Sequence, residues 1–209
     1  MARSGSYLLV LGLVAAAIFF GSDLFSPVRF DREKIEVWAT DGQIQVRGLY
    51  HYVNRFPLPV SFSLGLPFPV DRDHPAPTLF SISQVTSTGA VLEEIPARHR
   101  WGSIVFRIWF WPRQERWIRV DYLQKSRGEN GRYILLTTRK WGQPLDSGDY
   151  ILHLASGMEL ASSNYDLQPA AARSYSEYSF KRFSFYPDKD WVFSWRPSDT
   201  LHASREKLQ

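Results

Sequence analysis

The sequence predicts a single N-terminal transmembrane helix followed by an all-β domain, an antiparallel β-sandwich of Ig-like or similar type, with a barrel as the alternative. Three observations carry this. Apolar and polar residues alternate with period two in run after run between Ile35 and Trp195, with turn residues between the runs. No segment beyond the N-terminal stretch shows a sustained helical period. Aromatic residues reach 15%, with 8 Trp, 10 Tyr and 14 Phe, and large rings fill a pleated, half-buried surface well.

The N-terminal stretch reads "MARSGSYLLVLGLVAAAIFFGSDLFSP". Leu8 to Phe20 is unbroken apolar residues and glycine. Tyr7 to Phe25 would span about 28 Å as a helix, close to the ~30 Å hydrocarbon thickness. A cleaved signal peptide is the competing reading, but Ala15-Ala16-Ala17 lies inside the apolar run and bulky residues follow it. Residues 1–25 are therefore read as an uncleaved anchor, 26–33 as a stalk, 34–196 as the β-sandwich domain and 197–209 as a polar tail. Gly12 and Ala16, four apart on one helix face, would let a partner helix approach closely. Counting Arg3 before the run against Arg29, Arg32 and Lys34 after it would retain the domain in the cytoplasm. The basic start followed by an apolar core, however, resembles an export signal, and the reading adopted is a single-pass membrane protein with an extracytoplasmic, periplasmic domain.

The strands follow in order. "QIQVRGLYHYVN" places Ile44, Val46, Gly48, Tyr50 and Tyr52 on one face. "VSFSLGLPF" places Val60, Phe62, Leu64, Leu66 and Phe68 on one face, and Pro59, Pro67 and Pro69 put this strand at an edge. Further strands are expected at Leu79–Thr86, Ser103–Trp111, Trp117–Gln124, Arg132–Thr138, Tyr150–Ala155, Tyr175–Tyr186 and Trp191–Trp195. Asp41-Gly42 and Asn130-Gly131 suit two-residue hairpin turns. The apolar parity shifts between Phe180 and Phe183, so Lys181-Arg182 is a candidate bulge.

"SIVFRIWFWPRQERWIRVDYLQ" reads as a hairpin. Ile104, Phe106, Ile108 and Phe110 face inward with Ile118, Val120 and Tyr122. Avoiding an Arg107–Arg119 pair selects a register with Arg107 opposite Asp121, Trp109 opposite Arg119 and Trp111 opposite Trp117. The resulting outer strip of Trp109, Trp111, Trp117 and Arg119 is the candidate partner-binding surface. A self-satisfied sheet surface and a sugar-stacking platform are the other readings of the same residues.

The chemistry is narrowed by what is missing from the sequence. There are no cysteines, which removes disulfides, thiolate metal sites and cysteine nucleophiles. The five histidines (51, 74, 99, 153 and 202) lack ligand spacing, and no phosphate, dinucleotide or nucleophile-elbow motif occurs. Asp71, Asp73 and His74, like Asp188 and Asp190, read as turn residues ahead of metal ligands. His51 and His153 read as surface residues on polar strand faces. The net charge of +4 comes without a long basic block, which argues against nucleic acid and suits a lipid surface. The function expected is that of a membrane-anchored accessory or scaffolding subunit of a larger membrane complex, acting by protein contact with neither cofactor nor catalysis. An envelope-anchored carbohydrate- or ligand-binding module is the alternative.

Overall fold

The structure, a computed structural model, describes residues 26–100, 102–170 and 176–198. The predicted anchor, with Gly12 and Ala16, lies outside them, and among the described residues no helix is long and apolar enough to cross a membrane.

The described residues form fourteen strands: β1 (Val28–Thr40), β2 (Gln43–Asn54), β3 (Val60–Pro67), β4 (Leu79–Val85), β5 (Val91–Glu94), β6 (Ala97–Arg100), β7 (Ser103–Phe110), β8 (Glu115–Lys125), β9 (Asn130–Tyr133), β10 (Leu145–Leu154), β11 (Met158–Ser163), β12 (Gln168–Ala170), β13 (Ser176–Phe185) and β14 (Trp191–Pro197). They make one eight-stranded sheet, ordered β12-β13-β10-β1-β2-β8-β4-β5, and two three-stranded sheets, β11-β14-β9 and β3-β7-β6. The large sheet does not close into a barrel. The small sheets cover its inner face, giving a β-sandwich.

Alternation explains the layers. Ile35, Val37 and Ala39 on β1 stand beside Tyr150, Leu152 and Leu154 on β10 and beside Gly48, Val46 and Ile44 on β2, and all the side chains in these rows are buried. From the covering layer, Trp191 packs its ring edge-on to Tyr150 (6.0 Å) and Phe180 (5.3 Å). Phe68, just past β3, meets Tyr122 on β8 at 4.9 Å. Trp141 closes one end against Phe30, Tyr52 and Phe62, each ring centre within 5.6–5.7 Å. Full burial of one such apolar side chain is worth roughly 1.5–3 kcal/mol.

Several expectations need correction. The sandwich is not wholly antiparallel, because β1 and β10 run parallel in the middle of the large sheet. The stalk assigned to residues 26–33 is mostly strand: β1 starts at Val28, and Val28 and Phe30 are core residues. Asp41-Gly42 does make the β1–β2 turn, with Thr40 opposite Gln43 and Gly42 at φ 74°. Asn130-Gly131 makes none. Both pair with β14, and a Cβ on Gly131 would lie 2.5 Å from the Phe193 ring. The glycine serves close packing there instead of a turn.

The strand expected at Arg132–Thr138 stops at Tyr133 and gives way to a 3-10 helix, Leu136–Trp141. Asp190 Oδ1 accepts the Leu135 and Leu136 amides at 3.0 Å and holds the helix start. Gly142, at φ 65°, ends it. The parity change in β13 falls at Ser184 (φ 46°), not at Lys181-Arg182, which stay in register with Asp149 and Gly148. Phe183 keeps the outward parity of Lys181, and Phe185 is turned inward. As expected from its prolines, β3 is an edge strand.

Candidate functional site

The predicted β7–β8 hairpin is absent. β7 pairs with β3 and β6 in a small sheet, while β8 pairs with β2 and β4 in the large one. The chain crosses between layers through Trp111–Gln114, where Arg113 adopts φ 60°. Inward parity is nevertheless correct: Ile104, Phe106, Ile108, Phe110, Ile118, Val120 and Tyr122 are all buried. They face one another across the sandwich instead of lying side by side.

The candidate strip is consequently split. Trp109 opposes Ser61 and Arg107 opposes Ser63. Trp109 and Trp111 contact each other edge-to-face at 6.3 Å and are 49% and 59% exposed. Trp117 and Arg119 lie on the outer face of the large sheet, where Trp117 opposes His51 and Arg119 opposes Leu49. None of the three cross-strand pairs expected between β7 and β8 forms.

That outer face has an order of its own. Between Phe30 and Arg32 the β1–β2 register slips by one residue. The bulge at Asp31 sends its carboxylate outward and returns Glu33 to the inner face. Asp31 Oδ1 lies 2.6 Å from His51 Nδ1, and Glu115 lies 3.2 Å from Nε2. The shorter contact takes the Nδ1 proton, so Arg32, 3.2 Å from the same nitrogen, acts as an electrostatic neighbour. The Trp117 ring lies 4.5 Å from the imidazole, and the Arg32 guanidinium sits 5.2 Å over that ring. His51 is wholly buried, contrary to its reading as a surface residue. Burial alone would raise the Asp31 carboxyl, but the hydrogen bond and electrostatic pull of His51, with Arg32 and Arg29 nearby, hold it below the usual carboxylate value. With both nitrogens engaged and the ring sealed, His51 pins β1 to β2 and β8.

Two rows along, Arg47 and Arg119 both ion-pair with Asp121, at 2.7 and 2.8 Å. Arg47 also sits 5.7 Å over Trp38, and Trp38 stacks on His153 at 4.8 Å and 11°. His153 is likewise buried, 3.4 Å from Glu177, and burial, outweighing Glu177 and Glu36, lowers its pKa. A shallow depression of about 390 Å³ opens beside Asp121, lined by Gln45, Leu79, Phe80, Ser81, Tyr122 and Leu123. Among the described residues no group of three His, Asp or Glu side chains is placed to hold a metal ion. Asp71 Oδ1 accepts the backbone amides of Asp73 and His74 at 3.0 and 2.9 Å, a side-chain-closed turn.

On the inner face, Glu33 is buried in the core and accepts a 2.5 Å hydrogen bond from the Tyr150 hydroxyl. Burial pushes its pKa up to about 7 against the opposing Tyr150 bond. Tyr50 and Tyr133 share a 2.7 Å hydroxyl contact nearby, and burial together with the Glu33 charge pushes both phenols well up. Each tyrosine that flanks Glu33 folds back over a glycine two residues earlier. A Cβ at Gly48 would meet the Tyr50 hydroxyl at 2.2 Å, and one at Gly148 the Tyr150 hydroxyl at 2.6 Å. Sequence reading missed this cluster, although Glu33 stands in phase with Ile35, Val37 and Ala39.

No family model and no curated protein sequence matches the chain. Among solved structures, it is similar to a proposed nutrient-binding protein from Legionella pneumophila subsp. pneumophila str. Philadelphia 1, with TM-score 0.65 and 13% identity over 81% of this chain and 67% of that one. An M1 zinc metallopeptidase from Deinococcus radiodurans gives TM-score 0.49 and 7% identity over 80% of this chain and 42% of the peptidase. A two-domain M1 zinc metallopeptidase mutant bound to L-tryptophan gives 0.50 and 6%, over 83% and 45%. The chain spans less than half the length of these peptidases. At 13% identity the likeness to the Legionella protein establishes a shared architecture and nothing about activity.

Proposed function

We propose that this chain is a membrane-anchored, non-enzymatic contact module, an accessory subunit that presents the open face of its large sheet to a protein partner in the extracytoplasmic space. The observation that carries the reading is the state of that face. Trp38, Trp117, Arg47 and Arg119 are already held by stacking and by Asp121, and no layer of the described fold covers them. Ordered aromatic and arginine side chains lose little rotamer freedom on docking, which is why such groups dominate interface hot spots. The apolar run at Leu8–Phe20 supplies the tether.

The test is photocrosslinking from position 119 in native membranes, followed by detergent extraction of the full chain. A stoichiometric protein adduct is expected from the wild-type background and is lost in Trp117→Ser or Arg47→Glu chains of unchanged melting temperature. Adducts of lipid only, or adducts indifferent to both substitutions, reject the reading. The depression beside Asp121 favours a second reading, capture of a small polar ligand between Leu79 and Leu123, to which the Legionella likeness adds only its architecture. Saturable glycan or metabolite binding abolished by Asp121→Ala would select it.

A further inference from the structure

The residues around the start of the described chain form one hydrogen-bonded knot. The Arg55 amide donates to Pro27 O at 2.8 Å, and the Asn54 amide donates to Gln114 O at 2.9 Å. The Asn54 side-chain amide donates to Leu58 O and to Trp111 O, both at 2.9 Å. The chain entry, the β2–β3 loop and the crossing from β7 to β8 therefore share one pole of the sandwich. Phe25, the last residue of the predicted anchor, precedes Pro27 by two residues, a reach of only about 7 Å when extended.

Three large exposed apolar side chains and two exposed arginines gather at this pole. Leu58, Trp109 and Trp111 are 53%, 49% and 59% exposed, so each leaves a large apolar surface in water. Arg55 and Arg113 are exposed beside them. Residues 54–59 and 110–114 contain no acidic side chain. Pro57, Pro59 and Pro112 stiffen both loops, so docking here orders little additional chain. Tryptophan rings settle at the headgroup level of a bilayer, and guanidinium groups beside them pair with phosphate.

We propose that this pole, with Leu58, Trp109 and Trp111 inserted and Arg55 and Arg113 on the phosphates, rests the domain on the phospholipid surface in which its own N-terminal run is embedded. The inference rests on the anchor reading of residues 1–25. It fixes the orientation of the sandwich: strands stand off the bilayer, the Asp41-Gly42 turn points away by about 40 Å along β1, and the open face of the large sheet is left lateral and free for a partner.

Because the chain has no cysteine, one introduced thiol reports one place. Full-length Leu58→Cys and Asp41→Cys chains, labelled with an environment-sensitive fluorophore, are reconstituted in phosphatidylcholine vesicles with or without phosphatidylglycerol and with spin-labelled headgroups. Quenching at position 58 should exceed that at 41 several-fold, rise with the anionic lipid, and fall when Trp109 and Trp111 are both replaced by Ser. Arg55→Cys provides the same readout if Leu58→Cys does not fold. Equal quenching at the two poles, or more at 41, overturns the proposal while leaving the anchor intact. A chain that fails to float with the vesicles rejects the anchor and this proposal together.

Discussion

Asp31 and Glu33 stand two residues apart on one strand, yet their surroundings push them in opposite directions. Asp31 is held by His51, Arg32 and Arg29 and stays below its ordinary pKa. Glu33 faces tyrosines and apolar side chains and rises to about 7. A regular strand would put both on one face; the bulge after Phe30 separates them. One extra residue in the ladder thus decides which carboxyl is held ionised and which is pushed toward its neutral form. Proximity in sequence decides nothing.

The comparison breaks most strongly at Asp31. Replacing it by Ala leaves His51 sealed without its 2.6 Å partner, and unfolding of the detergent-solubilised chain in urea should show a loss of about 3–5 kcal/mol. Glu33 tests the opposite arm. Its folded pKa lies above the unfolded value of 4.5, so the folded state holds a proton that the unfolded state has released. Its contribution to stability is greatest below pH 4.5, falls as pH rises to about 7, and is flat beyond, a change on the order of 3 kcal/mol. Glu33→Gln should flatten that profile and raise the urea midpoint at pH 8 while leaving it nearly unaltered at pH 4.5. An unchanged or steeper profile in the variant would show that the folded pKa of Glu33 does not lie above its unfolded value. The smallest effect belongs to Glu115, 63% exposed in its side chain. Glu115→Gln should cost under about 1 kcal/mol and shrink further in salt.

How much of this was legible follows from what alternation encodes. Parity tells which side chains of a strand turn inward, and it was right for Ile104 to Phe110 and for Ile118 to Tyr122. It does not tell which strand lies alongside. Two inward faces are satisfied equally by neighbours in one sheet and by strands in facing layers, and the hairpin was inferred from sequence adjacency alone. Hence Trp109 and Trp111 ended on one surface and Trp117 and Arg119 on another. The pinning role of His51 was hidden for a different reason. It sits at an outward position, and the bulged Asp31, the Trp117 ring, Arg32 and Glu115 close around it. Glu33 could have been found, since an acid in phase with Ile35, Val37 and Ala39 is the sign of a carboxyl in a core.

The parallel pairing of β1 with β10 has a consequence for biogenesis. Arg32 and Ser147 are neighbours in the sheet although most of the domain's sequence lies between them. Loop closure on that scale is slow to nucleate, and the strand nearest the N-terminus keeps one flank open until the tenth strand arrives. During synthesis the nascent domain would expose that unpaired flank, and a chaperone able to shield an extended strand would shorten the hazardous interval.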